Sequence, residues 1–188
     1  MRISFDFDGV LCLTPFGRMA VHAPDTHVDD LPADYAAFYD APPRQSRARL
    51  AVEYVRFAWR RMAPDAAAIL HELSDAGHEL LIVTGRSAQG EPLLRRWLRR
   101  HGLDERVKEI RMAPSGLRPP QHKLAIAKML HVDAHIDDDP RTVFYLARNG
   151  VPTVYLLDHA GALGDATLPA NVRVVRSLRE FGGLVIGD

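Results

Sequence analysis

The feature that most constrains this chain is a rhythm in which short runs rich in Ile, Leu and Val recur between segments of helical length. The opening run, Arg2-Ile3-Ser4-Phe5-Asp6-Phe7-Asp8, alternates apolar Ile3, Phe5 and Phe7 with polar neighbours, as a strand does at period two. Runs at Leu80 to Val83, Val132 to Ile136, Thr153 to Leu157 and Val172 to Val175 read as buried strands. Helix-length segments lie between them at Asp65 to Ala76, Pro92 to His101, His122 to His131 and Arg141 to Arg148. Gly77, Gly102 and Asn149-Gly150 supply turn signals. Strand and helix in alternation imply parallel strands joined by right-handed crossovers. The expected fold class is α/β, a doubly wound, Rossmann-like parallel sheet with helices on both faces.

Residues 14–63 interrupt the rhythm. A loop of that length is rarely structureless in a compact domain. Ala48 to Met62 has the length and apolar content of a helix, and Tyr35 to Tyr39 suggests a second. The expectation is a small helical cap, 14–63, inserted after strand one into an α/β core formed by 1–13 and 64–188. With 188 residues the chain has the length of one compact domain carrying such an insertion. Pro114 to Pro120 reads as a loop.

Charge and cysteine usage exclude several classes of function. Lys plus Arg and Asp plus Glu number 24 each, so no global field holds the protein on nucleic acid or an anionic membrane. The single cysteine, Cys12, offers neither an internal disulfide nor a thiolate metal cluster, and reads as a small buried apolar residue. No apolar run approaches the length of a membrane span, and Met1 leads directly into a strand-like run, so the expected location is the cytoplasm. The nine histidines include no helical His-x-x-x-His pair beside a carboxylate, which argues against zinc.

Ligands of open parallel sheets bind beyond the carboxyl ends of the strands, so the polar residues there are the first candidates. Strand one ends in Asp6-Phe7-Asp8-Gly9, strand two in Thr84-Gly85-Arg86, and the strand at Val132 to Ile136 in Asp137-Asp138-Asp139-Pro140. Lys123 lies near the start of the intervening helix. Carboxylates, a hydroxyl and an ammonium on one rim suit a phosphate handled with a hard cation, and Mg²⁺ favours carboxylate, water and phosphate oxygens. Asp6 and Asp138 fit that need. A carboxylate can also attack phosphorus and split one difficult displacement into two. Asp6 takes that part, with Asp8 placed to protonate the leaving alkoxide and then activate water.

Asp6-Phe7-Asp8-Gly9-Val10-Leu11, Thr84, Lys123 and Asp137-Asp138 together resemble the four motifs of the haloacid dehalogenase superfamily. The resemblance implies that Asp6 is nucleophile and metal ligand, and that Asp8 is acid/base and lends the metal its backbone carbonyl. It implies that Thr84 and the Gly85 amide hold the phosphoryl group, with Arg86 a further candidate, and that Lys123 neutralises charge there. Asp138 would complete the Mg²⁺ site with Asp137 beside it, and which of the two is the direct ligand stays open. The aspartate at position 8 is similar to phosphatases and phosphomutases, whereas dehalogenases, phosphonatases and ion-pumping ATPases of the superfamily lack it. His122-Lys123-Leu124, His135-Ile136-Asp137-Asp138-Asp139-Pro140 and Asn149-Gly150-Val151-Pro152 resemble the 5'(3')-deoxyribonucleotidase branch. The implied activity is hydrolysis of a small phosphomonoester through an aspartyl-phosphate, with a nucleoside monophosphate as the first substrate to try. The alternatives are a phosphatase of a macromolecule, a phosphomutase, or a non-catalytic phosphate-binding regulator. Nucleic acid enters only as a phosphorylated end.

Several of these residues have plainer readings. Asp139 before Pro140 is a good helix cap. Arg86 could equally grip phosphate or sit on the surface, and Lys128 rivals Lys123. Phe16, Tyr35, Phe38, Tyr39, Tyr54, Phe57 and Trp59 read as a small core of the cap before they read as stacking partners for a base. Arg44, Arg47, Arg49, Arg56, Arg60 and Arg61 face only Glu53 and make a local cationic surface.

Overall fold

The computed structural model describes residues 1–13, 46–159 and 168–187. Its sheet has six strands, β1 (Arg2–Phe5), β2 (Glu79–Ser87), β3 (Val107–Ala113), β4 (Ala134–Asp137), β5 (Thr153–Leu157) and β6 (Val172–Val175). Every pairing is parallel and the spatial order is β3-β2-β1-β4-β5-β6. The helices are α1 (Arg47–Trp59), α2 (Ala66–Asp75), α3 (Glu91–Arg100), α4 (Pro119–Met129), α5 (Pro140–Arg148) and α6 (Leu178–Gly187). This is the doubly wound α/β architecture that the alternation implies.

The two faces of the sheet are buried by different helices. Ile3, Phe5 and Phe7 of the first strand segment join Leu80, Ile82, Ala134 and Ile136 in one cluster, packed by α2, α3 and α6. Leu81, Val83, Val154 and Leu156 lie in a second cluster with residues of α4 and α5. Strand periodicity sorts the side chains, since successive residues point to opposite faces.

Several elements depart from the sequence expectation. β3 was not expected, because Lys108, Glu109 and Arg111 dilute its apolar pattern; as the edge strand of the sheet it tolerates them. α6 carries Gly182-Gly183 in its interior, a weak helical signal that packing against α2 overrides. α4 starts at Pro119, so Pro119 and Pro120 form its first turn and not the end of a loop. Proline suits that turn because its missing N–H has no helical acceptor there.

Helix α1 ends at Trp59, three residues before the expected Met62. Beyond it the chain returns alongside its own departure point. Leu13 N donates to Arg61 O at 2.9 Å, Ala63 N donates to Leu11 O at 3.0 Å, and Cys12 and Met62 form an antiparallel bridge. Phe57 of α1 stacks on Phe7, with ring centroids 5.9 Å apart, and so belongs to the main core. Tyr54 and Trp59 are exposed, whereas Phe16, Tyr35, Phe38, Tyr39 and Arg44, with the expected helix at Tyr35 to Tyr39, lie outside the described residues.

Candidate active site

β2, β1 and β4 are adjacent at the middle of the sheet, and the direction of winding reverses between β1 and β4. A crevice at such a switch point is where open parallel sheets bind ligands. Asp6 follows β1 directly, and its amide donates to Ile136 O at 2.9 Å, which ties the turn to β4. Asp137 closes β4 and Asp138 follows it. One carboxylate oxygen from each of Asp6, Asp137 and Asp138 lies within 4.8 Å of the others.

Gly9 makes room for this cluster. Its φ is +79°, and a Cβ there would lie 1.8 Å from Asp138 Oδ2, so no larger residue fits beside that carboxylate. Gly85 does similar work across the site, where a Cβ would meet Pro119 Cβ at 2.6 Å. The first turn of α4 therefore presses against the end of β2, and this seats Lys123 one turn further on.

Lys123 is buried, with Nζ 2.6 Å from Asp137 Oδ2 and 3.0 Å from Asp6 Oδ1. Lys128 is exposed, so Lys123 is the lysine that meets the carboxylates. Burial alone would lower the Lys123 pKa, but the Asp137 and Asp6 charges outweigh it and keep the ammonium protonated. Burial would likewise raise Asp137, yet Lys123 and the His135 hydrogen bond hold it below the usual carboxylate range. Asp6 and Asp138 go the other way. Burial, reinforced by the neighbouring Asp137 charge, pushes both upward against the pull of Lys123. Asp6 Oδ1 is also fully buried and accepts no well-aligned hydrogen bond. An all-oxygen cluster with more negative charge than one lysine neutralises fits a hard divalent cation such as Mg²⁺.

Asp8 has different partners. Arg86 grips it with both arms of its guanidinium, Nε to Oδ2 at 2.5 Å and Nη2 to Oδ1 at 2.9 Å, and Arg60 Nη1 reaches Oδ1 at 2.5 Å. Glu53 of α1 holds Arg86 Nη1 at 3.0 Å, and the Arg86 guanidinium lies 4.9 Å from the centroid of the Phe57 ring. Burial would raise the Asp8 pKa, but Arg86 and then Arg60 reverse the effect and hold it low. Arg86 is thus neither a free phosphate ligand nor a solvated surface group. Of the cationic stretch before it, Arg60 is buried, Arg56 pairs with Glu53, and Arg49 and Arg61 are exposed.

Thr84 is buried near the end of β2, and its Oγ1 accepts the Arg86 amide at 3.4 Å. The strand runs on irregularly to Ser87, with a register shift between Thr84 and Ser87 that bulges Gly85 and Arg86 out of the ladder. A cavity of about 180 Å³ opens there, lined by Glu53, Phe57, Gly85, Arg86, Ser87, Gly90 and Met112. Asp139 caps α5, accepting from the Arg141 and Thr142 amides. Neither motif nor charge pattern gave Ser4 or His135 a role, or joined Glu53 and Arg60 to the Arg86–Asp8 pair. For Ser4 and His135 a signal existed: each stands two residues before a site aspartate, on the same face of its strand.

No protein-family model and no curated protein matches the chain. Solved structures do. A haloacid dehalogenase-like family hydrolase from Streptococcus pneumoniae superposes with a TM-score of 0.63 at 13% identity, over 98% of this chain and 97% of that one. D,D-heptose 1,7-bisphosphate phosphatase from B. bronchiseptica, complexed with magnesium and phosphate, gives 0.60 at 17% identity over 99% and 98%. L-2-haloacid dehalogenase from Xanthobacter autotrophicus, with chloropropionic acid covalently bound, gives 0.61 at 15% over 99% and 98%. The chain has the haloacid dehalogenase fold. That fold is shared here by a phosphatase and a dehalogenase, so the fold by itself assigns neither chemistry. Among the described residues no helix of this haloacid dehalogenase fold is long and apolar enough to cross a membrane.

Proposed function

We propose that the protein is a Mg²⁺-dependent phosphomonoesterase in which Asp6 forms an aspartyl-phosphate. The observation that carries this reading is the convergence of Asp6, Asp137 and Asp138 within 4.8 Å, with Lys123 Nζ bridging Asp6 and Asp137. Asp6 and Asp138 would hold the cation, with Asp137 committed mainly to Lys123. Bound Mg²⁺ supplies positive charge that offsets the phosphoryl oxygens.

An Asp6 carboxylate oxygen attacks phosphorus, the bond to the leaving oxygen breaks, and Asp8 delivers the proton that oxygen needs. Water then attacks the phosphoryl-Asp6, Asp8 takes its proton, and inorganic phosphate leaves. Asp8 must loosen its hold on Arg86 and Arg60 to take up a proton, and an incoming phosphoryl dianion competes for those guanidinium groups. Thr84 and the Gly85 amide hold the phosphoryl oxygens. Lys123 offsets charge that grows on Asp6 and the phosphoryl group during transfer.

The presence of Asp8 favours phosphoryl transfer over dehalogenation, since dehalogenases that share these motifs lack an aspartate there. The cavity beside Gly85 and Arg86 lies below the roughly 300–1,000 Å³ of sites for drug-sized ligands, which suits a small leaving group. A nucleoside monophosphate is the first substrate to try, in a cytoplasmic setting. Phosphate release from single mononucleotides, sugar phosphates and phosphorylated oligomers, with and without EDTA, tests the reading. Release that needs Mg²⁺ and vanishes in Asp6→Asn supports it; release unaffected by either change refutes it.

A further inference from the structure

On the α4 side of the sheet, β2 and β5 present Leu81, Val83, Val154 and Leu156 to an apolar layer. On the two strands between them the equivalent positions are Ser4 and Asp6 of the first strand segment, and His135 and Asp137 of β4. All four are buried, Ser4 and His135 to 1% exposure. Asp6 and Asp137 have a place in the reaction proposed above. Ser4 and His135 do not, and burying a hydroxyl and an imidazole in such a layer costs free energy that apolar residues would not.

The contacts say what they do. Ser4 and His135 are direct partners in the β1–β4 register, and Ser4 Oγ lies 2.7 Å from His135 Nδ1. His135 Nε2 lies 3.2 Å from Asp137 Oδ2, the oxygen that also accepts from Lys123 Nζ at 2.6 Å. The other oxygen, Asp137 Oδ1, accepts the Asp139 amide at 3.1 Å. Asp137 accepts Lys123 Nζ on Oδ2 and the Asp139 amide on Oδ1, so toward His135 it is again the acceptor and Nε2 carries the hydrogen. With Nε2 the donor, Nδ1 of the neutral ring carries the lone pair and accepts from the Ser4 hydroxyl, whose Oγ lies 2.7 Å away. The hydrogen bonds therefore run in one direction, from Ser4 through His135 to Asp137, and Asp137 in turn orients Lys123.

We propose that His135, braced by Ser4, is a positioning residue that fixes the Asp137 carboxylate so that Lys123 Nζ is aimed at the reacting oxygen of Asp6. A lysine has four rotatable bonds and a mobile point charge, so its value in a transition state depends on what holds it. Asp137 is that hold, and its own rotation is fixed at one oxygen by a backbone amide and at the other by His135. The inference rests on the reading of Asp6 and Lys123 as reacting groups.

The test compares His135→Phe, His135→Asn and His135→Gln with wild type, using p-nitrophenyl phosphate and Mg²⁺. Loss of a partner that orients a site ligand typically costs about 10–100-fold. His135→Phe is expected to lower kcat by about that factor with KM little changed. Glutamine can place an N–H where Nε2 stood and asparagine cannot, so His135→Gln recovers most of kcat and His135→Asn does not. In a Lys123→Met background, His135→Phe lowers turnover no further, because both act through one group. Nitrogen-15 NMR of the wild-type imidazole, which needs no variant, is expected to report the Nε2–H form. A wild type that hydrolyses no phosphate ester removes the functional reading and this role with it. An active wild type with the Nδ1–H form, or a folded His135→Phe with wild-type kcat, overturns the positioning role alone. So does a folded His135→Gln that fails to recover.

Discussion

The two faces of the central strands are built from the same backbone and do opposite work. On the α2, α3 and α6 side, Ile3, Phe5, Phe7, Ala134 and Ile136 form a continuous apolar surface with edge-on aromatic contacts such as Phe5 to Phe181, 5.7 Å between centroids. On the α4 side the alternate residues of the same strands are Ser4, Asp6, His135 and Asp137, joined by hydrogen bonds and ion pairs. One face stabilises by removing area from water, the other holds charges where water does not reach them. The difference teaches that a seam of buried polar residues can be borne where the opposite face of the same strands is packed without interruption.

Four experiments break or sharpen that contrast. Asp6→Asn is nearly isosteric but a far poorer nucleophile, so turnover should fall by at least about 1,000-fold, roughly 4 kcal/mol of barrier, with thermal unfolding little altered. Phosphate release and a melting curve on the same preparation check it, and activity near wild type would remove Asp6 from the chemistry. Phe5→Ala, one residue earlier on the other face, should cost about 3–5 kcal/mol in a denaturant titration. If the folded fraction lost turnover as fully as Asp6→Asn, the two faces would not be separable. Asp139→Ala removes the cap of α5 beside the site, and urea unfolding should register about 1 kcal/mol. Smallest of all, Cys12 on the apolar side should resist a thiol reagent in the native protein at neutral pH. Burial pushes its thiol up to about 11, and labelling should appear only after denaturation.

Much of the fold was legible because it rests on periodicity. Phe5 and Phe7 against Ser4 and Asp6 announce a strand with two unlike faces, and the α4 and α5 segments announce themselves by length and turn residues. β3 was not, because an edge strand needs only half an apolar pattern, nor α6, whose glycines are overruled by packing. In the site, the residue types and strand-end positions of Asp6, Lys123, Asp137 and Asp138 foretold a cluster that the structure brings together. The clamp on Asp8 was not foretold. Arg60 and Glu53 are remote from Asp8 in sequence, and nothing local distinguishes Arg60 from Arg61, although one is buried and the other exposed. Ion pairing across such a separation is a property of the folded path and leaves no periodic trace.

Leu13 pairs with Arg61 where the chain rejoins the core, and just before that return Glu53 of α1 holds Arg86 while Arg60, the residue after α1, holds Asp8. The pairing of Arg86 with Asp8 is thus coupled to the seating of α1. Exchanging residues 46–60 for those of another protein would therefore disturb the Arg86–Asp8 pair, unless Glu53 and Arg60 travelled with them.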